Sequence, residues 1–167
     1  DILVHPSDLQ SYESLSALLS KANLRGQKAD PLCYLSDLAC ISHNAVIVVI
    51  PPQHPNKIYH NKLEQITQLF CGHVFAGACL YNDGADEARL AMLADSAGQL
   101  DLPLTAVSGA QYHRSDRRPL ADVLCCIREK KSLDNAGYLL SRNAELHIIT
   151  PDEMARRWRI YPEALKQ

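Results

Sequence analysis

The stretch AVIVVI at positions 45–50, closed by Pro51 and Pro52, is the clearest secondary-structure signal in the chain. Its residues are small or β-branched and apolar on both faces, which is typical of a parallel strand buried between helices. Residues 2–4, 74–80 and 104–107 predict three further strands. Strands that alternate with helical segments indicate an α/β fold, and 167 residues suffice for one such domain.

The helical segments follow from apolar spacing and from end signals. Helices are predicted over 58–70, 86–100 and 119–130, and Thr150, Pro151 and Glu153 form the start of a last helix. A loop is predicted over 27–37. The first helix is predicted to begin at a capping box of Ser7 and Gln10 and to stop near Gly26. Its predicted buried face consists of Leu9, Tyr12, Leu15, Leu18, Leu19 and Ala22.

Composition excludes several classes of protein. The net charge of -2 argues against a dedicated nucleic-acid binder, which usually has a strong basic excess. The longest apolar run, 45–50, is too short to span a bilayer, and no secretory segment is visible. None of the six cysteines forms a C-x-x-C pair, so we expect buried free thiols in a reducing cytosol.

Five short stretches in the last third of the chain carry a resemblance. They are RRPLADVLCCIRE at 117–129, SLD at 132–134, NAE at 143–145, PDEMA at 151–155 and YPEAL at 161–165. In order and spacing they resemble the C-terminal edge of the PHP (polymerase and histidinol phosphatase) domain of bacterial error-prone DNA polymerase III alpha subunits. LPLTA at 102–106 resembles the strand before the last metal-binding loop of that family, and the helix around Tyr12, Leu15 and Leu18 resembles an early one.

The resemblance implies a fold and a context. The fold would be the later β/α units of a distorted α/β barrel, seen as a partial barrel or open parallel sheet with flanking helices. Residues 1–167 would form a single unit, a fragment of a PHP domain with its C-terminal edge at about 116–167. The parent protein would be a cytoplasmic DNA-directed DNA polymerase, a nucleotidyltransferase of damage-tolerant DNA replication and repair. The palm, which holds the polymerase carboxylates in that family, is not in this chain.

The resemblance also implies a lost metal site. In the family, the loop after the last strand usually reads Asn-Asp-x-His, and its Asp and His bind divalent metal. Here the corresponding positions are Ser108, Gly109, Ala110 and Gln111, and Tyr81 fills another position where active relatives often have His. We therefore expect no catalytic residue, metal or cofactor in this chain. Among its seven histidines, His113 is the best candidate for residual metal binding, because it lies in the same loop.

The densest basic region comprises Arg114, Arg117, Arg118, Arg128, Lys130 and Lys131. One interpretation is contact with phosphate or with another polymerase domain. The other is a solvated helix face balanced by Asp116, Asp122 and Glu129, because phosphate contacts need unopposed charge. Trp158, which lies among arginines, is either an exposed stacking platform or an anchor of the last helix in the core.

Three hypotheses for function follow. The first is a non-catalytic structural and interaction part of an error-prone polymerase. Its partners would be the remaining polymerase domains and, through the full-length protein, DNA; no membrane is involved, and the fragment could self-associate at an exposed edge strand. The second is an active metal-dependent PHP phosphoesterase or exonuclease. The third is a free-standing, diverged ligand-binding α/β protein.

Overall fold

A computed structural model describes residues 1–70 and 72–166 of the chain. The strands are β1 (Ile2–His5), β2 (Val46–Val49), β3 (His73–Cys79) and β4 (Leu104–Val107). The helices are α1 (Leu9–Arg25), α2 (Lys57–Leu69), α3 (Asp86–Gln99), α4 (Arg118–Glu129) and α5 (Pro151–Arg157). Every predicted strand and helix is confirmed within two residues at each end for which a prediction was made; for α5 this is its start alone. The loop predicted over 27–37 is wrong at its end, where a 3-10 helix spans Leu35–Cys40.

The four strands form one open sheet in the order β1-β2-β3-β4. β2, β3 and β4 are parallel to one another, whereas β1 is antiparallel to β2, with Ile2 opposite Val49 and His5 opposite Val46. The α/β class with flanking helices is therefore confirmed, and the sheet is consistent with a partial barrel. The expectation of an all-parallel open sheet is wrong, because the sheet is mixed.

The connection between β1 and β2 explains the antiparallel edge. After α1 ends at Gly26, the chain turns and runs back along the helix. The amide of Leu32 donates to the carbonyl of Ala22, and the amide of Ser42 donates to the hydroxyl of Ser14, further back on the helix. This return path brings the chain to the end of the sheet at which β1 stopped, so β2 starts opposite His5 and runs in the reverse direction.

The core lies between the sheet and helices α2 and α3. Ile47 of β2, Leu63 of α2 and Leu93 of α3 are almost completely buried. Trp158, which follows α5, is only 2% exposed and belongs to the same cluster. Its interpretation as an anchor of the last helix is therefore confirmed, and the exposed stacking platform is wrong. Thr150 caps α5 as predicted, since its hydroxyl accepts from the Glu153 amide at 3.3 Å.

Helix α1 differs from its prediction at the cap and on its buried face. The cap is Asp8, whose carboxylate accepts from the Ser11 amide at 2.7 Å while the Ser11 hydroxyl accepts from the Asp8 amide at 3.0 Å. The capping box of Ser7 and Gln10 is therefore wrong. Only Ser11, Leu18 and Ala22 are buried, and the predicted wide face is wrong because Leu9, Tyr12 and Leu19 are exposed.

The cysteines divide by environment. Cys79 and Cys126 are buried, Cys125 is half-buried, and Cys33 and Cys40 are exposed; Cys71 lies outside the described residues. The expectation of buried thiols is therefore wrong for Cys33 and Cys40, which lie on the return path after α1, near the surface. No helix in residues 1–70 and 72–166 is long and apolar enough to cross a membrane.

Candidate functional site

The three parallel strands end at one edge of the sheet, and the loops that follow them border a cleft of about 370 Å³. Gln53 and His54 follow β2, Tyr81 and Asp83 follow β3, and Gln111 follows β4. The other wall is formed by the segment around residues 138–146. Two positions singled out from the sequence, Tyr81 and Gln111, are therefore brought to one cleft. Ligands in open α/β sheets bind at this edge.

A buried arginine lies behind the cleft and joins its loops. The Arg89 guanidinium is almost fully buried and contacts both oxygens of the Asp83 carboxylate at 3.0 and 2.8 Å. It also contacts the Asp86 carboxylate, and its Nε donates to the Gln53 carbonyl at 2.8 Å. Arg89 thus ties the loop after β2 to the loop after β3 through charge-assisted hydrogen bonds.

The loop after β3 is fixed by a second set of contacts. The Asp86 carboxylate accepts from the backbone amides of Tyr81 at 2.9 Å and Asn82 at 2.7 Å. The Asn143 side-chain amide donates to the carbonyls of the same two residues at 2.7 and 3.0 Å. The Tyr81 ring lies over the Arg89 guanidinium at 4.7 Å, within the range of a cation–π contact.

Burial and hydrogen bonding in this cluster shift the pKa values of Asp83 and Tyr81. Desolvation acts most strongly on Asp83 and would raise its pKa, but the Ala85 amide and the Arg89 guanidinium outweigh it, and the pKa lies below its ordinary value. Burial raises the pKa of the Tyr81 phenol. Asp83 is therefore a paired carboxylate, and Arg89 supplies the cation at this edge of the sheet.

Sequence reasoning missed Arg89, although a signal was available. Arg89 is three residues after Asp86 and adjacent to Leu90 on the inner face of α3, so helical spacing turns a charged side chain toward the core. A buried arginine requires carboxylate partners. Asp83 and Asp86, which precede Arg89 in the chain, are these partners.

Gly109, which the sequence resemblance aligns with a metal-binding aspartate, is packed against the end of β3. Its φ is +60°, in the left-handed region that favours glycine. A Cβ placed on its backbone would lie 2.4 Å from the Cys79 sulfur. Cys79 is buried, and desolvation in the first place raises the pKa of its thiol to about 11. A side chain at position 109 would therefore have to displace a buried neighbour.

Gln111, which the sequence resemblance aligns with a metal-binding histidine, is exposed at the rim of the cleft, and its backbone amide donates to the Leu146 carbonyl at 2.9 Å. His113 is exposed and does not line the cleft. Across residues 1–70 and 72–166, no three His, Cys, Asp or Glu side chains are grouped so that they could hold a metal ion. The residual metal site at His113 stays a prediction.

The basic region lies along α4 and the turn before it, and its Arg118 donates to the carbonyl of Ser141, a residue that lines the cleft. Three of its members form salt bridges with the carboxylates named above: Arg114 with Asp116 at 3.1 Å, Arg118 with Asp122 at 3.5 Å, and Arg128 with Glu129 at 3.0 Å. Arg117, Lys130 and Lys131 are exposed and make no salt bridge with any residue that the structure describes. Contact with phosphate or with another domain stays a prediction.

Comparison with known proteins gives the chain a context. It is 36% identical over 168 residues to an error-prone DNA polymerase of Rhodopseudomonas palustris, which covers 100% of the chain. It is related to a part of error-prone DNA polymerases. The polymerase of Sinorhizobium medicae is 36% identical over 167 residues, and that of Caulobacter vibrioides 30% identical over 168 residues. The chain spans about 15% of the length of these relatives. No protein-family model matches the chain.

Because the similarity to the polymerases covers the whole chain, both surfaces described above lie in the shared part. The strand-end cleft with Arg89 is one of them, and the basic helix α4 is the other.

Proposed function

We propose that the chain is a structural part of an error-prone DNA polymerase, equivalent to the later portion of a PHP domain, in which the metal-binding chemistry has been lost. The similarity of the complete chain to a segment of such polymerases carries this proposal. The open sheet, although mixed at its β1 edge, is consistent with the partial barrel that the PHP resemblance implies.

The residues at the strand ends do not fit a divalent metal. The position of the family's aspartate is Gly109, and the Cys79 sulfur occupies the space into which its side chain would extend. The position of the family's histidine is Gln111, whose amide is a weak ligand for transition metals. Asp83 and Asp86, the carboxylates nearest the cleft, are already paired with Arg89. A metal-dependent catalytic step at this site would therefore lack its ligands.

In this proposal, nucleotidyl transfer belongs to another part of the polymerase, and this part supports it during damage-tolerant DNA synthesis and repair. Arg89 keeps the strand-end loops in one arrangement, and the outer surfaces contact the remaining polymerase domains. DNA is met through the full-length protein. No observation favours the active phosphoesterase or the free-standing ligand-binding protein over this reading.

Elemental analysis and activity assays test the proposal. We expect the purified chain to hold far less than one equivalent of metal after dialysis against metal-containing buffer. We also expect no phosphodiesterase activity with added manganese or zinc, and no primer extension. The intact Rhodopseudomonas palustris polymerase serves as the positive control for primer extension. Stoichiometric metal, or hydrolysis that a chelator abolishes, would refute the loss of the metal site, and His113 would then be the first residue to substitute.

A further inference from the structure

Helix α4 presents its apolar residues to solvent. Leu120, Val123, Leu124 and Ile127 recur at helical spacing on one side of the helix, and they are between 39% and 68% exposed. We call these four residues the α4 stripe. In a helix that packs only on its own domain, a stripe of this kind faces the core.

The opposite side of α4 is the one that packs on the chain. Cys126 is the buried residue of the helix, and Arg118 and Asp122 are paired there at 3.5 Å with much of their side chains covered. The Arg118 guanidinium also donates to the Ser141 carbonyl at 2.6 Å. The polar face is therefore turned inward and the apolar face outward, which is typical of a surface that another protein segment covers.

Exposed positive charges border the α4 stripe at both ends. Arg117 precedes the helix, and Lys130 and Lys131 follow it; none of the three has a salt bridge within the described part of the chain. The stripe itself offers no hydrogen-bond donor to a phosphate, so nucleic acid does not fit its centre. The complementary surface is apolar in its middle and carries carboxylates at its rim.

A second copy of the chain fits this surface poorly. Symmetric dimers place the same patch on both sides, so Arg117 and Lys130 of each copy would approach the basic residues of the other. Such like charges across an interface cost several kcal/mol. The relatives, by contrast, have 85% of their length outside the part that this chain matches, since the match covers 15%.

We infer that the α4 stripe docks on an apolar, acid-rimmed surface in another part of the polymerase polypeptide. The inference rests on the proposed function, which it deepens by assigning the contact to one helix face. The occupant is defined by its chemistry: apolar side chains opposite Leu124 and Ile127, and aspartate or glutamate opposite Arg117 and Lys130.

The test places this chain in a complete polymerase. In the Rhodopseudomonas palustris enzyme, the matching 168-residue segment is replaced by the chain, either unchanged or with Leu124→Glu and Ile127→Glu. The matched control carries Leu19→Glu and Leu24→Glu, two exposed positions of α1 outside the stripe. Hydroxyl-radical labelling of the stripe side chains is compared between the isolated chain and each chimera. For each chimera we also measure the rate of primer extension and the rate of proteolysis at the junctions, the two boundaries of the replaced segment.

We expect the unchanged stripe to be labelled in the isolated chain and protected in the chimera. The stripe variant should no longer dock on the rest of the polymerase, and proteolysis at the junctions should be faster by roughly tenfold or more. A factor of this size corresponds to the loss of one interface hot spot. The α1 control should behave like the unchanged chimera. These results would support the inference.

Three other outcomes overturn it, and they are distinguishable. An active unchanged chimera whose stripe is labelled as in the isolated chain refutes the docking surface but leaves the proposed function standing. An unchanged chimera that is unfolded or inactive, beside an active parent enzyme, refutes the proposed function and the inference with it. An isolated chain that self-associates, and that Leu124→Glu converts to monomer, shows that the stripe binds a second copy instead.

Discussion

Substitution of Gly109 by alanine is expected to destabilise the chain by about 2–5 kcal/mol. A non-glycine residue in the left-handed region costs about 1–2 kcal/mol, and the φ of Gly109 is +60°. The added Cβ would also lie 2.4 Å from the sulfur of Cys79, a buried side chain that cannot move into solvent. Overpacking of this kind costs about 1–3 kcal/mol more. An aspartate at position 109 would meet the same obstacle.

Urea unfolding followed by the fluorescence of Trp158, the chain's one tryptophan and a buried residue, measures this loss. Gly137→Ala is the matched control, because Gly137 has a φ of +51° and its added Cβ would meet nothing within 4 Å. It should lose only the conformational part, about 1–2 kcal/mol. In the background of Cys79→Ala, Gly109→Ala should approach the same small loss. Equal losses for Gly109→Ala and Gly137→Ala, or no relief from Cys79→Ala, would refute the steric argument.

Three further predictions concern charge and association. Arg89→Met should reduce the free energy of unfolding in urea by about 3–5 kcal/mol, because it leaves the buried Asp83 carboxylate without its cationic partner and with only the Ala85 amide as a donor. Adding Asp83→Asn should restore part of the loss, and a loss below about 1 kcal/mol would contradict the pairing. Hydrogen bonds from Arg156 and then Arg157 lower the pKa of Glu153 to about 2. The contribution of ionised Glu153 to the stability of the folded chain is therefore complete above pH 4.5 and is lost as the pH falls toward 2. An unchanged acid-unfolding curve for Glu153→Gln would speak against this. Because β1 is an edge strand of the sheet, sedimentation at micromolar concentration should show self-association through it. Substitution of the exposed Leu3 by lysine should weaken this association, and a monomer at all concentrations would reject the prediction.

The elements of the fold were predictable because their signals are local. The composition of AVIVVI at 45–50 indicates a buried strand without reference to its neighbours, and Thr150 with Pro151 indicates a helix start in the same way. Tyr81 and Gln111 could also be placed together, since parallel strands end at one edge. The resemblance rather than the periodicity pointed to these two positions.

Burial and strand direction were less predictable because they depend on distant segments. Periodicity locates the apolar side of a helix, but it does not say what covers that side. In α1 the return path covers only a narrow face, so Leu9 and Leu19 stay exposed. The antiparallel direction of β1 depends on the same return path. This path is held by contacts with Ala22 and Ser14, and no local sequence pattern predicts them.

An arginine side chain and a divalent metal would hold the strand-end loops in different ways. A divalent metal at such a site binds reversibly, and its carboxylate ligands separate when a chelator or acid removes it. The Arg89 guanidinium, by contrast, is covalently part of α3 and cannot dissociate from it. Its contacts with Asp83 and with the Gln53 carbonyl therefore persist whatever metals are present. In the proposed function, a strand-end edge held in this way would give the neighbouring polymerase domains a constant support.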